Sequence, residues 1–399
     1  MADPKPERGK ARPFAGLTRD TGLLALSSLF ADISTEMLYP VLPVFLTQVL
    51  GASGSAVGVI EGFALATQNI VQGFSGSLAD RLRKHKAIAI AGYALAALAK
   101  PLIGASSSWA GVLGARFLDR LGAGGRSAPR DALVAASADE EHRGKAFGLE
   151  GVGDNLGAFL GPLIAVLLLT VWALDIRWIF YLAVIPGALA VVMVLLVKET
   201  SVTAIARPRA DVDPRKLPAG YRRYLVAAAI FGLGNSSNAF LILETRALGA
   251  SLQTTILIYA VFNLVAALIS YPAGYLSDRM GRRNLLLIGE AVFLVSYLGF
   301  GLSRNLAVVG AMFVLYGLFQ GIFRAVGKAL ASDFAPPSRR AGAVGWYSAT
   351  IGLAGLAASL VAGILWDRTS HATVFLYGAA FAGLGALALL ALVPAHPKR

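Results

Sequence analysis

The chain has 399 residues, of which 56% are hydrophobic and only 15% are charged, and its net charge is +13. A soluble domain carries about 25% charged residues, so this composition excludes a chain of ordinary globular domains. A membrane-spanning helix needs about 20 apolar residues, and apolar runs of that length recur along the whole sequence. The chain is therefore predicted to be an all-α membrane protein with twelve transmembrane helices.

Residue usage also narrows the chemistry. The sequence has no cysteine and only four histidines, all in or beside predicted loops. Disulfides and thiolate metal sites are excluded, and no set of nucleophile, histidine and acid is predicted inside the membrane. No G-x-x-x-x-G-K-[ST] phosphate-binding loop is present, so ATP-driven pumping is not indicated. We expect no catalytic residues, no enzymatic activity, no metal site and no cofactor.

The distribution of basic residues predicts the orientation. Lys and Arg concentrate in the N-terminal segment, in a polar segment between the halves and in alternate loops. The other loops hold only four of them: Arg177, Arg246, Arg304 and Arg368. Short loops rich in Lys and Arg stay in the cytoplasm, so both termini are expected there, in a multi-pass protein of the cell inner membrane. Topology then accounts for the basic charge, and no nucleic-acid partner is expected.

In chain order, we expect a cytoplasmic tail at 1–20, a six-helix bundle at 21–197, a cytoplasmic linker at 198–221, a second six-helix bundle at 222–394 and a tail at 395–399. Helices 1, 6 and 7 are expected to run without interruption over about 22–50, 177–197 and 222–248. One chain contains both bundles, so a monomer is expected.

Ionisable residues inside the predicted helices are the candidate proton-coupling groups. Each costs about 2.5–3.5 kcal/mol at the bilayer centre and therefore needs a partner or a function. Asp32 and Glu36 share one face of helix 1, with Asp32 about 15 Å from the cytoplasmic end. The full candidate set is Asp32, Glu36, Glu61, Glu150 and Asp154, with Arg116, Asp119 and Arg120 on helix 4. Asp32 and Asp154 rank first, with Arg116 and Arg120 expected as their competing partners.

Polar and aromatic residues elsewhere in the helices are the candidate substrate contacts, because transport sites combine apolar walls with a few polar groups. These are Tyr39, Asn235, Asn238, Phe240, Gln320 and Arg324.

The two halves of the sequence resemble each other. GSLADR begins at Gly76 and GYLSDR at Gly274, an offset of 198, and Arg126 and Arg130 are expected to recur as Arg324 and Lys328 at the same offset. Parallel six-helix repeats place the substrate site between the halves, near the bilayer midplane.

These loops resemble the signature G-x-L-(A/S)-D-R-x-G-R-(R/K) of the major facilitator superfamily. The second copy, GYLSDRMGRR, is complete, whereas the first has Arg83 in place of the second glycine. The resemblance implies two pseudo-symmetric six-helix bundles and a latch on the cytoplasmic side. The expected gating residues are Gly76, Asp80, Arg81, Gly274, Asp278 and Arg279. Gly76 and Gly274 are expected to let helices approach closely.

Two further motifs refine the resemblance. Gly153, Gly157 and Gly161, followed by Pro162, resemble the helix-5 motif of the superfamily's drug/proton antiporters. The helix-4 stretch ARFLDRLGAGGRSAPRDALVA resembles a bacterial subgroup that includes some nickel- and cobalt-resistance exporters. The leading hypothesis is a secondary transporter that works by alternating access and couples export of a small organic compound to protons. A divalent-metal (nickel or cobalt) exporter and an uptake system for an anionic solute remain alternatives, and a membrane enzyme or sensor is the hypothesis from another class.

Overall fold

The computed structural model describes residues 17–139, 142–198, 217–336 and 339–394. In these ranges the regular elements are all helices, which confirms the all-α prediction. The expected tails at 1–20 and 395–399 and the expected linker at 198–221 lie largely or wholly outside the described residues.

The first half, here called the N-half, contains α1 (Arg19–Glu36), α2 (Leu42–Val44), a π-helical segment (Phe45–Val49), α3 (Gly54–Leu82), α4 (His85–Ala105), α5 (Trp109–Ala136), α6 (Arg143–Thr170), α7 (Ile176–Leu182) and α8 (Val184–Leu196). The second half, the C-half, contains α9 (Ala219–Gly234), α10 (Ala239–Ala247), α11 (Leu252–Met280), α12 (Arg282–Leu302), α13 (Leu306–Asp333), α14 (Arg340–Arg368) and α15 (His371–Leu392).

Three passes through the bundle are broken, contrary to the prediction of uninterrupted helices. The first pass breaks after Glu36, where Pro40 follows within a turn and cannot donate a helical hydrogen bond. The seventh breaks after Gly234, which lies 198 residues beyond Glu36, and the sixth breaks at Ala183. When each broken pass is counted once, the described helices form twelve passes.

Nine of these passes, among the described residues, are long and apolar enough to cross a membrane by length and composition alone. The three that fall short contain α1, α3 and α5, all in the N-half. These are the passes in which the sequence places most of its candidate proton-coupling residues, so their lower hydropathy reflects buried charge. Ionisable groups inside a bilayer face the bundle interior and pair with one another.

The halves meet mainly along α3 and α14. A β-carbon added to Gly54 would lie 2.6 Å from Trp366 Cδ1, and one added to Gly352 would lie 2.8 Å from Asn69 Cβ. Small residues allow this close packing. We call the side at which α1 begins the linker side and the other the opposite side. Hydrogen bonds join the halves near the centre, between Tyr259 and Glu36, and on the opposite side, from the Gly54 amide to Asp367 and from Arg246 to Gln48, so the molecule is closed there.

Candidate functional site

The centre of the molecule is organised around Glu36, the last residue of α1 before its break. Its Oε2 accepts a hydrogen bond of 3.0 Å from the Tyr259 hydroxyl and one of 3.2 Å from Asn263 Nδ2, both on α11 of the C-half. Asn263 Nδ2 also donates to the Ala158 carbonyl of α6 at 2.9 Å. Among the described residues, no Lys, Arg or His nitrogen lies within 4.0 Å of the Glu36 carboxylate. Glu36 therefore links the two halves through neutral donors.

A second connection joins the two broken passes. Tyr39, in the break after α1, stacks on Tyr259 with ring centroids 5.5 Å apart and lies 3.4 Å from the Ser237 hydroxyl, in the break after α9. Ser237 Oγ also donates to Glu61 Oε2 at 3.4 Å. Broken helices are typical of transporter binding sites, where freed backbone groups and side chains can contact a solute.

An ion cluster lies buried beside this centre, within the N-half. Asp119 Oδ2 accepts hydrogen bonds of 2.9 Å from both Arg116 and Arg120, and its Oδ1 lies 3.4 Å from Lys100 Nζ. Arg116 also contacts Glu61 at 3.2 Å. Three cations thus surround two carboxylates. Asp119 and Arg116 are almost fully buried, so each charge depends on its partners.

The carboxylates nearer the linker side have different partners from those predicted. Asp32 lies 3.9 Å from Arg126, and Asp154 lies 3.5 Å from Arg130. Arg130 also contacts Glu150 at 2.7 Å. The predicted pairing of Asp32 and Asp154 with Arg116 and Arg120 is therefore wrong. Both arginines are instead held by Asp119 of their own helix α5, and Arg116 also by Glu61 of α3. The spacing of Arg116 and Asp119 in the sequence is consistent with this pair, whereas nothing in the sequence indicates the contact with Glu61.

Gly153, Gly157 and Gly161 form a ridge on α6 that packs closely against α1. A β-carbon at Gly157 would lie 2.9 Å from Asp32 Cβ, and one at Gly161 would lie 2.9 Å from the Ile33 carbonyl oxygen and 3.0 Å from Glu36 Cβ. The ridge brings α6 against the face of α1 that holds both carboxylates. The small-residue motif therefore positions the candidate proton-coupling groups.

The candidate substrate contacts are only partly brought together. Tyr316 of α13 donates to Asn238 at 2.8 Å and lies 3.5 Å from Asn235, which places all three at the α9 break. Gln320 lies one turn further along α13. Phe240 differs from the prediction, since it is fully buried and packs on Trp366 at 5.7 Å, away from the central contacts. Arg324 is exposed on α13.

The predicted gating residues lie on the linker side. Asp80 contacts the His85 side chain at 2.8 Å, and Asp278 contacts the Arg282 side chain at 3.7 Å. Each acid therefore pairs with the first residue of the helix that follows it, α4 or α12. A β-carbon at Gly274 would have no neighbour within 4 Å, so the expected close approach of helices there is absent from this conformation. Arg81 is exposed at the end of α3, where Gly76 is also found. Arg279 lies over the Tyr275 ring of its own helix at 4.5 Å.

The equivalence between the halves on α5 and α13 differs by one residue from the predicted one. A β-carbon at Gly124 would lie 2.7 Å from the Gln68 carbonyl of α3, and one at Gly321 would lie 2.7 Å from the Ala266 carbonyl of α11. Gly124 and Gly321 are 197 residues apart, as are the ends of these helices. Arg324 therefore corresponds to Ser127, and Lys328 to Asp131. The predicted recurrence of Arg126 and Arg130 as Arg324 and Lys328 is therefore wrong. Residues paired at an offset of 198 are one position out of step between the equivalent helices, so they lie on different helix faces.

Several polar residues of the structure were not predicted as functional from the sequence. Asn263 is a single amide within an apolar stretch of α11, which is the one signal that could have identified it. Asp367, at the end of α14, accepts hydrogen bonds from the Gly54 and Ser55 amides of α3 at 2.7 and 2.8 Å, across the two halves. Glu290 on α12 is buried, and its Oε2 has no hydrogen-bond partner among the described residues.

The acid cluster does not resemble a metal centre. No group of three or more His, Cys, Asp or Glu residues that could hold a metal ion occurs within the described ranges. Asp32, Glu150 and Asp154 each have an arginine nearby, and Glu36 contacts a tyrosine and an amide. The structure therefore gives no support to the divalent-metal alternative.

Comparison with known proteins places this architecture in a family. A family model described as the Major Facilitator Superfamily matches residues 24–226 and 224–399. An uncharacterized transporter of this type from Methanocaldococcus jannaschii is 33% identical over 94% of this chain and 95% of its own length. A probable 4-methylmuconolactone transporter from Cupriavidus pinatubonensis is 29% identical over 72% of this chain and 70% of its own. The solved nucleoside transporter NupG has the same fold, with a TM-score of 0.78, 14% identity and coverage of 94% of this chain and 99% of its own. The chain belongs to the major facilitator superfamily of membrane transporters, and it is not an enzyme.

Proposed function

We propose that this transporter couples the movement of a small organic compound to that of a proton, and that it exports the compound. The position of the Glu36 carboxylate carries the proposal. It belongs to the N-half, yet it accepts hydrogen bonds from Tyr259 and Asn263 of the C-half. If the halves separate at this level to open the opposite side, both donors leave Glu36.

Loss of these donors links protonation to conformation. Hydrogen bonds to a carboxylate and the polarity of its surroundings both determine its affinity for a proton. Glu36 therefore has a different proton affinity in each conformation, and by linkage protonation shifts the balance between conformations. Asp32 and Asp154 are the next candidates, because each lies 3.5 Å or more from its nearest arginine and is about one-third exposed.

The surroundings of the centre suit a small organic cargo. Stacked tyrosines at Tyr39 and Tyr259 lie beside amides at Asn235 and Asn238, and such neutral polar groups on aromatic walls are typical of sites for organic molecules. The relative from Cupriavidus pinatubonensis is named for an organic cargo. A tetracenomycin C resistance and export protein from Streptomyces glaucescens is 31% identical over 35% of this chain, which favours export.

The arginines of the N-half argue against uptake of an anionic solute. Arg116, Arg120 and Arg126 each already contact a carboxylate within 4 Å. Binding an anion there would require a carboxylate to lose its partner.

Orientation and assembly are part of the proposal. Because basic residues concentrate on the linker side, we assign that side to the cytoplasm and the protein to an inner membrane. The centre is built from both halves of one chain, so a monomer suffices for transport.

Proton movement in liposomes tests the coupling. Purified protein would be reconstituted with a pH-sensitive dye inside, and 4-methylmuconolactone, tetracenomycin C and a panel of organic cations and anions would be added in turn. A compound that triggers proton flux identifies the cargo class. Glu36→Gln, which keeps the shape and removes the charge, is expected to abolish the flux. Asp175→Asn is the control and should retain the flux, because Asp175 is an exposed acid that caps α7 within one half and asparagine preserves the cap.

The same assay separates the candidates. If Glu36→Gln retains full solute-driven proton flux while Asp32→Asn or Asp154→Asn loses it, the coupling group is misassigned. If all three variants transport an identified solute like the wild type, proton coupling through these carboxylates is refuted. Transport would then be uncoupled or coupled to a different ion.

A further inference from the structure

Asp131 and Lys328 occupy equivalent positions in the two halves. They are 197 residues apart, the offset that also relates α5 to α13. Each lies seven residues beyond the glycine that packs against the neighbouring helix, Gly124 on α5 and Gly321 on α13. Seven residues are about two helical turns. The two side chains therefore occupy corresponding places in the two halves, near the linker-side ends of α5 and α13.

The charges at these equivalent positions are opposite. The Asp131 side chain is 39% exposed and contacts Arg130, its neighbour in sequence, at 3.0 Å. Lys328 is exposed, and no Asp or Glu oxygen among the described residues lies within 4.0 Å of its ammonium group. Asp131 of the N-half attracts the Lys328 ammonium group electrostatically, whereas Arg324 and Arg130 repel it. An acid and a base thus face each other without touching in this conformation.

Closure of the linker side would change their surroundings. Two groups related by the pseudo-two-fold axis between the halves approach each other when the halves close around that axis. Water would leave the space between the two side chains at the same time, and a lysine without a partner inside a membrane is costly. If the same charged residue occupied both positions, closure would bring two like charges together. In this chain an acid at one position meets a base at the other.

We propose that Asp131 and Lys328 form an ion pair that holds the linker side closed when the opposite side opens. The inference rests on the alternating access assumed in the proposed function, but it does not depend on the coupling ion or on the solute. Asp131 and Lys328 would then act as positioning residues that stabilise one conformation.

Cross-linking in the cysteine-free chain tests the inference. The reporter pair is Ala135→Cys with Ser332→Cys, which are also 197 residues apart and lie one turn beyond Asp131 and Lys328. Ala135→Cys with Ala331→Cys is the control pair, because the Ala331 side chain is fully buried in the core of the C-half. Oxidation traps brief closures, so the rate of disulfide formation reports how often the linker side closes. The reporter pair should cross-link and the control pair should not.

Charge exchange then identifies the cause. In the reporter background, Asp131→Lys or Lys328→Asp alone should slow cross-linking about tenfold, because like charges then meet. The double exchange should restore a rate close to that of the unmodified pair. The double variant Asp131→Asn with Lys328→Gln, which removes both charges, should give an intermediate rate of cross-linking. Folding of every variant is checked by size-exclusion elution, and the neutral double variant provides the test if a charge-reversed chain fails to fold.

Two results would overturn the inference: no cross-linking of the reporter pair, or single and double exchanges that cross-link equally. Because the assay uses neither a proton gradient nor a solute, it can succeed when the liposome experiment fails, and the reverse also holds.

Discussion

Removal of the Asp367 carboxylate should open the opposite side. Its two oxygens accept from the Gly54 amide at 2.7 Å, the Ser55 amide at 2.8 Å and the Ser55 hydroxyl at 2.5 Å. Asp367 belongs to α14, whereas the donors begin α3, so these bonds join the halves. The first amides of a helix lack intrahelical partners and favour an anion there.

The size of the effect follows from this geometry. A hydrogen bond to a charged group contributes about 1.5–3 kcal/mol in a buried site. Asp367 is exposed at the surface, so solvent screening reduces the whole set to roughly 1–2 kcal/mol. Since 1.4 kcal/mol is about a tenfold change in an equilibrium constant, Asp367→Ala should favour the opened opposite side by about 5- to 30-fold. Asp367→Asn should have a smaller effect, because it keeps an acceptor and loses the charge.

Distance measurements between spin labels provide the assay. The chain has no cysteine, so Ser107→Cys and Ser303→Cys can be labelled selectively, one in an opposite-side loop of each half. Asp367→Ala should add a population with a longer distance. Asp175→Ala is the matched control, because Asp175 caps α7 on the same side within one half, at 2.9 Å from the Arg177 amide. An unchanged distribution in Asp367→Ala, or an equal change in the control, would refute the reasoning.

Three further predictions concern packing and buried charge. Asp119→Asn leaves three cations beside one remaining acid, so it should destabilise the fold by about 3–5 kcal/mol, whereas the exposed Asp333→Asn should change the melting temperature little. Gly157→Ala places a β-carbon against the α1 backbone and should lower thermal stability by about 1–3 kcal/mol, whereas Gly151→Ala, which meets open space, should not. Gly274→Ala also meets open space and should fold normally, but it should slow solute flux if helices approach there when the linker side closes. Equal melting temperatures within either pair, or unaltered flux in Gly274→Ala, would contradict these statements.

The fold could be predicted from the sequence because a bilayer restricts what a chain can do. Every backbone polar group must be paired internally, so long apolar segments can only be helices. The breaks after Glu36 and Gly234 were not predicted, although Pro40 marks the first of them. The chain stays apolar through the break after Glu36, at Met37, Leu38 and Val41, so a pattern based on apolar runs continues through it. The break after Gly234 does carry a polar signal, the stretch NSSN at 235–238, but a stretch this short does not end an apolar run of membrane-spanning length.

The candidate site was predicted less well, because a helical pattern indicates which residues share a face but not which helix that face meets. The spacing of Asp32 and Glu36 correctly places both on one side of α1, against the α6 ridge. Their partners come from other helices, and the donors Tyr259 and Asn263 lie more than 220 residues away in the chain. The one-residue error in aligning α5 with α13 has the same origin. The sequence shows similar charges at an offset of 198, whereas the packing of Gly124 and Gly321, which gives the correct offset of 197, is visible only in the structure.

The two halves share a fold but contribute different chemistry to the centre. The N-half supplies the carboxylates of Glu36 and Glu61, and the C-half supplies neutral donors at Tyr259, Asn263 and Ser237. An anion without a donor and a donor without an acceptor are both costly when buried. Neither half therefore completes the centre alone, and any movement that separates them at this level must be compensated by a proton, by water or by a solute. Because the carboxylates and their donors must pair across the halves, the break after Glu36 and the break after Gly234 both contribute to one shared centre.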